Sequence, residues 1–322
     1  MNVINMELPV EKKPIMNPEI FLKQEEIAPL IMALNQFAMR VNVAGERKEI
    51  LENAGIDAAF LSRLRFDTQS LSFAQALVAA FKTYSVSSQR LNYHPMVRLL
   101  EYLRQLAPID QLEDQTVNLF TKLVLRGNTN FEALIARSAV GRIEFPKGTG
   151  IGTGVLIKNN LLLTCYHIFT KSRAEKAWIR FNYKPGSYLL DDYLFELDLD
   201  FLSFNNRFDY ALLQVKSQPQ QEVATLMNST LDSGQKIYLI HHPQGQPVVI
   251  SGPGEIMQVG ENYIDHNIVT DNGSSGAPIF NQDWKLIAIH QGHPGIGRSI
   301  TSGAMGGIPI YAIFNQISSH LA

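Results

Sequence analysis

The chain has 322 residues, 45% hydrophobic and 18% charged, enough for about two domains with their own cores and too apolar for extended disorder or a coiled coil. Lys plus Arg number 28 against 30 for Asp plus Glu, and a net charge of −2 gives no general attraction to nucleic acid or to an anionic membrane. Cys165 is the one cysteine, which excludes an intrachain disulfide and a thiolate zinc cage.

Residues 1–20 read as an N-terminal arm. Met1 to Phe21 carries Glu7, Glu11, Lys12, Lys13 and three prolines and has no secretory apolar segment. No apolar run along the chain approaches the roughly 18 residues of a membrane span. A cytoplasmic location is expected, with no membrane span and no nucleic-acid partner.

From Gln24 to Val41 the residues Ile27, Leu30, Ile31, Leu34, Phe37, Ala38 and Val41 recur at three- and four-residue intervals, the stripe of an amphipathic helix. Further helices are expected at about Glu46–Ala54, Asp57–Leu64, Ser72–Tyr84, Tyr93–Leu106 and Leu112–Leu125. Ser72 and Gln75 have the spacing of a capping box, and Asp57 stands as an N-cap. Residues 21–126 therefore read as an all-α bundle of about six short helices. Gly127-Asn128-Thr129-Asn130 reads as a turn, so residues 127–133 are expected to be a linker.

Beyond that point glycine is frequent and short β-type runs replace the helical stripe. Val155–Ile157 and Leu161–Thr164 flank Asn159-Asn160, a hairpin turn by its chemistry, and Tyr193 to Phe201 alternates with period two. Ala211–Val215, Lys236–Ile240, Val248–Ser251, Ala277–Phe280, Leu286–Ile289 and Ile308–Ile313 complete a strand series that points to a barrel or sandwich over 134–322.

Three segments carry chemistry. In Asp271-Asn272-Gly273-Ser274-Ser275-Gly276-Ala277-Pro278, glycines around a serine let the chain turn sharply and aim N–H groups at one point beside the hydroxyl. His167 closes the apolar strand Leu161–Leu163, and Asp209 stands at the mouth of another, Ala211-Leu212-Leu213. Asp191, Asp192, Asp198 and Asp200 are weaker candidates for an orienting acid. A metal reading of His241-His242 with His290 and His293 has no acidic ligand beside it, so neither metal nor cofactor is expected.

In the order His, Asp, Ser, separated by 42 and 66 residues, these pieces resemble the trypsin-like, chymotrypsin-fold serine proteases over residues 134–322. The resemblance includes Gly152-Thr153-Gly154 and the Gly-x-Ser-Gly-x-Pro turn. It implies an all-β double β-barrel with a catalytic triad: His167 and Asp209 come from the first barrel, Ser275 from the second, and the oxyanion hole from the N–H groups of Gly273 and Ser275. Within that fold, Thr270 to Ser275 followed by Ile287-Ala288-Ile289-His290-Gln291-Gly292 looks most like the bacterial glutamyl endopeptidases. That likeness implies an S1 pocket lined by Thr270 and His290 and a preference for Glu or Gln. Cys165, on the strand entering His167, is expected to be structural.

Trypsin-type zymogens pair a new amino terminus with an aspartate just before the nucleophile. Here that position is Ser274, so control is expected from the helical part. Its segments Glu46-Arg47-Lys48-Glu49-Ile50-Leu51-Glu52-Asn53-Ala54-Gly55 and Phe73-Ala74-Gln75-Ala76-Leu77-Val78 resemble the effector-associated, death-like domains of bacterial conflict systems. The combined expectation is a hydrolase of a bacterial defence pathway acting on a protein substrate, such as a latent pore-forming effector, with a partner carrying a related helical domain. The alternatives are an adaptor with a degenerate protease domain and an HtrA-like quality-control protease.

Overall fold

The computed structural model describes residues 15–41, 43–110, 112–172, 175–292 and 303–322. It contains two compact units: Pro18–Leu134, and Ile135–Ala322 together with Met1–Asn17.

The first unit is a helical bundle. Its elements are α1 (Ile27–Arg40), α2 (Ala44–Asn53), α3 (Ala58–Leu61), α4 (Ser70–Lys82), α5 (Pro95–Asp110) and α6 (Asp114–Ser138). The apolar stripe of α1 puts Leu30, Leu34 and Phe37 into one core with Phe73, Leu77 and Phe81 of α4 and Leu99, Leu103, Phe120 and Leu123 of α5 and α6. Arg47 of α2 is buried, which is tolerable because its guanidinium donates to the carbonyls of Ala38, Val41, Phe66 and Thr68 at 2.6–3.1 Å. Burial by itself would raise the Glu26 carboxyl; hydrogen bonds from Arg126, Lys23 N–H and Lys122 bring it down to about 2.

Several boundaries differ from expectation. Helix α3 is a single turn, and Asp57 stands at its N-cap while its carboxylate pairs with Arg90 at 2.9 Å instead of capping. Helix α4 begins at Ser70 with Gln69 at the N-cap, so Ser72 and Gln75 lie inside the helix and form no capping box. The turn at Gly127–Asn130 and the linker over 127–133 are helical, because α6 runs unbroken to Ser138. Gly127 is there for close packing: a Cβ at that position would overlap the Val97 methyls of α5.

In the second unit β1 (Ile15–Met16) comes from the segment expected to be an arm. The first barrel holds β2 (Val140–Glu144), β3 (Gly150–Ile157), β4 (Leu161–Thr164), β5 (Trp178–Arg180), β6 (Leu194–Glu196), β7 (Ser203–Asn205) and β8 (Tyr210–Gln214), with α7 (His167–Ser172) after β4. The order is β6-β5-β2-β3-β4-β8-β7, and a bridge between Leu197 and Val215 brings the β6 end back to β8. The second barrel holds β9 (Lys236–His241), β10 (Val249–Val259), β11 (Ile264–His266), β12 (Pro278–Phe280), β13 (Leu286–Gly292) and β14 (Met305–Pro309). Its order β10-β11-β14-β13-β12-β9 closes through β9–β10 pairing, and β1 adds to β10 with Ile15 opposite Ser251. An all-α bundle followed by an all-β double barrel of chymotrypsin type is the observed fold class.

The Asn159–Asn160 hairpin forms with φ of 62° and 61°, values that asparagine tolerates well. The alternation over Tyr193–Phe201 makes only the short β6. Leu197 is its buried end, and the Asp198 carboxylate then accepts the Asp200 N–H at 3.1 Å and turns the chain away. Ile308–Ile313 divides between β14 and α8 (Ile310–Ile317), whose Ile310, Ile313 and Ile317 are buried at helical spacing. Strand β2 is illegible in the pattern because Arg142 and Glu144 are buried within it. Burial would raise Glu144, but bonds from Arg180, at 2.6 Å, and Arg142, at 2.5 Å, hold it below the usual carboxylate range.

In an exposed helix, Gly→Ala stabilises by about 1 kcal/mol. At Gly127 the overlap with Val97 reverses the sign, and overpacking should destabilise by about 1–3 kcal/mol. A lower urea midpoint for Gly127→Ala is expected, and an unchanged or higher midpoint would contradict the packing account.

Candidate active site

Asp209 sits at φ 57°, just before β8, in a left-handed conformation that is uncommon for residues other than glycine. Its carboxylate meets His167 twice. Oδ1 accepts the His167 backbone N–H at 2.8 Å and Oδ2 lies 2.6 Å from His167 Nδ1. With Nδ1–H donated to the carboxylate, Nε2 keeps its lone pair. Gln291 Nε2 also donates to Oδ2 at 3.2 Å. Asp191 pairs instead with Arg180 at 3.6 Å, Asp198 with Asp200 N–H, and Asp192 and Asp200 are exposed, so these four orient nothing at His167.

The serine turn rests on the first barrel. Thr153 of β3 donates its N–H to Ser275 O at 2.9 Å and its hydroxyl to Gly273 O at 2.8 Å. Gly276, at φ 79°, lies so near Thr164 Oγ1 and Thr153 O that any Cβ would overlap them. Thr164 and Cys165 lead directly into His167, so this seat brings Ser275 to the histidine's end of β4. Among the described residues Ser275 makes no hydrogen bond to His167, a bond that is often long until substrate is bound. The N–H groups of Ser274, Gly276 and Ala277 have backbone acceptors in Asp271, His290 and Ser274. Those of Gly273 and Ser275 have none among the described residues, which leaves two donors flanking Ser274 for an incoming oxygen.

Behind the turn runs a chain of rings. Ile268 N–H donates to His266 Nδ1 at 3.2 Å, which puts the neutral ring's proton on Nε2. His266 Nε2 then donates to His290 Nδ1 at 3.1 Å, and His290 Nε2 to Thr270 Oγ1 at 2.9 Å. The Thr270 hydroxyl proton is left as the outer end of this chain. His290 is buried and Thr270 half-buried, so Thr270 is the member that can reach a ligand.

His266 carries no signal in the sequence, and Thr153 and Gln291 stand inside the motif stretches Gly152–Gly154 and Ile287–Gly292 without a role assigned to either. These partners lie 24 to 120 residues away along the chain, so spacing and periodicity do not reveal what the three residues bond to. His241 spends both ring nitrogens on Ser274 and Ser251, and His242 directs Nδ1 at Gln246 O; His293 lies outside the described residues. Burial, with Asp209 nearby, pushes the Cys165 thiol well up, and its Sγ donates to His290 O at 3.3 Å, the environment of a structural thiol. Cys165 Sγ, the His167 ring and the Asp209 carboxylate lie within 4.8 Å of one another. A metal there would have to displace the bond between His167 and Asp209.

Residues 152–289 match the family model described as a trypsin-like peptidase domain. Residues 24–138 match effector-associated domain 8. The peptidase domain is similar to glutamyl endopeptidases of Staphylococcus aureus. The relative in strain MRSA252 is 26% identical over 165 residues, which cover 47% of this chain and 45% of the relative. The relative in strain MW2 is 25% identical, with coverage of 47% and 49%. The chain thus spans about half the length of the curated relatives it matches. Among solved structures, a Glu endopeptidase in complex with MPD has a TM-score of 0.48 at 19% identity, covering 57% of this chain and 90% of that one. The serine endoprotease from Yersinia pestis has a TM-score of 0.47 at 20% identity, covering 60% and 66%.

Burial lowers His241 to about 4, and His242 and His266 of the peptidase domain and His94 of the bundle to about 3. Below about pH 6.5 the unfolded chain takes up protons that these native rings refuse, so stability falls with pH at on the order of 1.4 kcal/mol per unit for each ring. Urea midpoints are expected to fall steadily from pH 6.5 towards 5, a window above the titration of the lowered carboxylates Glu26 and Glu144. Flat midpoints over that window would contradict the neutral burial of the rings.

Proposed function

We propose that the protein is an endopeptidase that cleaves peptide bonds through Ser275, His167 and Asp209. The observation that carries this reading is the two-point grip of Asp209 on His167, with the Ser275 turn seated against Thr164 and Cys165. Serine is a poor nucleophile until a base takes its proton. His167 Nε2 removes it as Oγ attacks the carbonyl carbon, and Asp209 stabilises the imidazolium that forms. The oxyanion accepts hydrogen bonds from Gly273 and Ser275 N–H, each on the order of 3 kcal/mol in the transition state. His167 then returns the proton to the leaving amine, and water releases the acyl group by the same path.

For the residue before the cut we propose Glu or Gln. The Thr270 hydroxyl, ordered by His290, donates a hydrogen bond that a carboxylate or carboxamide accepts. The effector-associated domain is proposed to hold the enzyme weakly active in a bacterial defence pathway in the cytoplasm until a partner with a related helical domain raises its local concentration. A protein effector, such as a latent pore-former, is the proposed substrate. Removing residues 1–126 would also remove β1 from the peptidase domain, so control is better tested on the full chain with and without the partner.

Ser275→Ala and His167→Ala are each expected to lower turnover by about 10⁶-fold with an unchanged melting temperature. In a peptide-library profile the wild type should favour Glu and Gln, and His290→Ala should flatten that preference more than it slows other substrates. Substantial turnover by purified Ser275→Ala would remove the serine from the mechanism, and a profile dominated by Arg or Lys would overturn the specificity.

A further inference from the structure

Ser274 is fully buried between the two residues whose N–H groups stand open, and its side chain is not idle. Ser274 Oγ lies 2.7 Å from His241 Nδ1, and His241 Nε2 lies 2.9 Å from Ser251 Oγ. His241 ends β9 and Ser251 belongs to the paired stretch of β10, where Val249 lies opposite His241 and Leu239 opposite Ser251. The imidazole is thus held between two strands of a closed barrel and presents one nitrogen to the turn. The backbone on either side of Ser274 is pinned as well, with Gly273 O held by the Thr153 hydroxyl and Ser274 N–H by Asp271 O. Gln244 N–H holds Asn272 O and His290 O holds Gly276 N–H, and the His241 bond holds the Ser274 side chain between those two points.

We propose that His241 is a positioning residue that keeps the oxyanion turn in shape through Ser274, with Ser251 fixing the ring from behind. The proposal rests on the assignment of Gly273 and Ser275 as oxyanion donors. Without the bond, Ser274 can rotate its side chain away and the flanking peptides lose the alignment that puts two N–H groups on one point. A donor misplaced by about 1 Å can cost on the order of 100-fold in rate, while substrate side-chain binding at Thr270 is untouched. The link is neutral and internal. It does at Ser274 what an ion pair does where that position is an aspartate.

The test uses the full chain and a peptide substrate with Glu before the cut, comparing wild type, Ser275→Ala, Ser274→Ala, His241→Leu, His241→Gln and His241→Asn. Asparagine keeps a hydrogen-bonding atom close to the place of Nδ1, whereas glutamine keeps one nearer Nε2. Ser274→Ala, His241→Leu and His241→Gln are expected to lose about 10- to 100-fold in kcat with KM within twofold, and His241→Asn to keep most of kcat. A peptide aldehyde, whose hemiacetal oxygen occupies the hole, should weaken by the same factor as kcat, while a cleaved product peptide should bind as before. Wild-type kcat in both Ser274→Ala and His241→Leu would overturn the role of His241 alone. So would a folded His241→Asn as slow as His241→Leu. Should His241→Leu fail to fold, Ser274→Ala and His241→Asn decide by themselves. Undiminished turnover in Ser275→Ala would overturn the endopeptidase reading and this proposal with it, an outcome separated from the others by that variant.

Discussion

The contact that the site depends on is the one a side chain would destroy. Gly276 carries its turn onto Thr153 and Thr164 at backbone distance, in a left-handed conformation and with no space for a Cβ. The strands that supply those threonines belong to one barrel and the turn to the other, so the serine is located by both sheets at once. A closed barrel cannot slide its register without breaking the ladder all round, which makes each half of the contact rigid. Precision at Ser275 is thereby inherited from two sheets and does not have to be built by the loop that bears it.

Around that contact the second barrel keeps a core of polar rings that are neutral at physiological pH. His241, His242 and His266 are buried, and the bonds recorded for their rings go to hydroxyls, a carbonyl, a backbone N–H and another imidazole. A buried ion cluster lies at Arg142, Glu144 and Arg180, where two guanidiniums surround one carboxylate. Arg142 reaches from that cluster to Gly245 O at 2.6 Å, next to the His242–Gln246 turn that supports Gly273.

How much of this was legible in the sequence follows from how local each signal is. The stripe of α1, the Asn159–Asn160 hairpin and the three segments that carry His167, Asp209 and Ser275 announce themselves within a dozen residues, and the structure puts His167 against Asp209. Signals that depend on distant partners failed. Gly127 looks like a turn residue, yet it lies inside α6, and glycine stands there because a Cβ would overlap Val97 on the neighbouring helix. Strand β2 hides because its arginine and glutamate are buried against an arginine thirty-six residues on. His266 has no motif of its own and Gln291 stands in the Ile287–Gly292 stretch with no role marked; the bonds to the His290 ring and the Asp209 carboxylate are visible in the fold alone.

The central claim is that Ser275 is the nucleophile made reactive by His167. A fluorophosphonate probe, followed by mass mapping of the labelled peptides, tests it most directly. The account predicts one adduct, on Ser275, that disappears when His167 is replaced by alanine. An adduct on another residue, or none on the folded full-length chain, would contradict it.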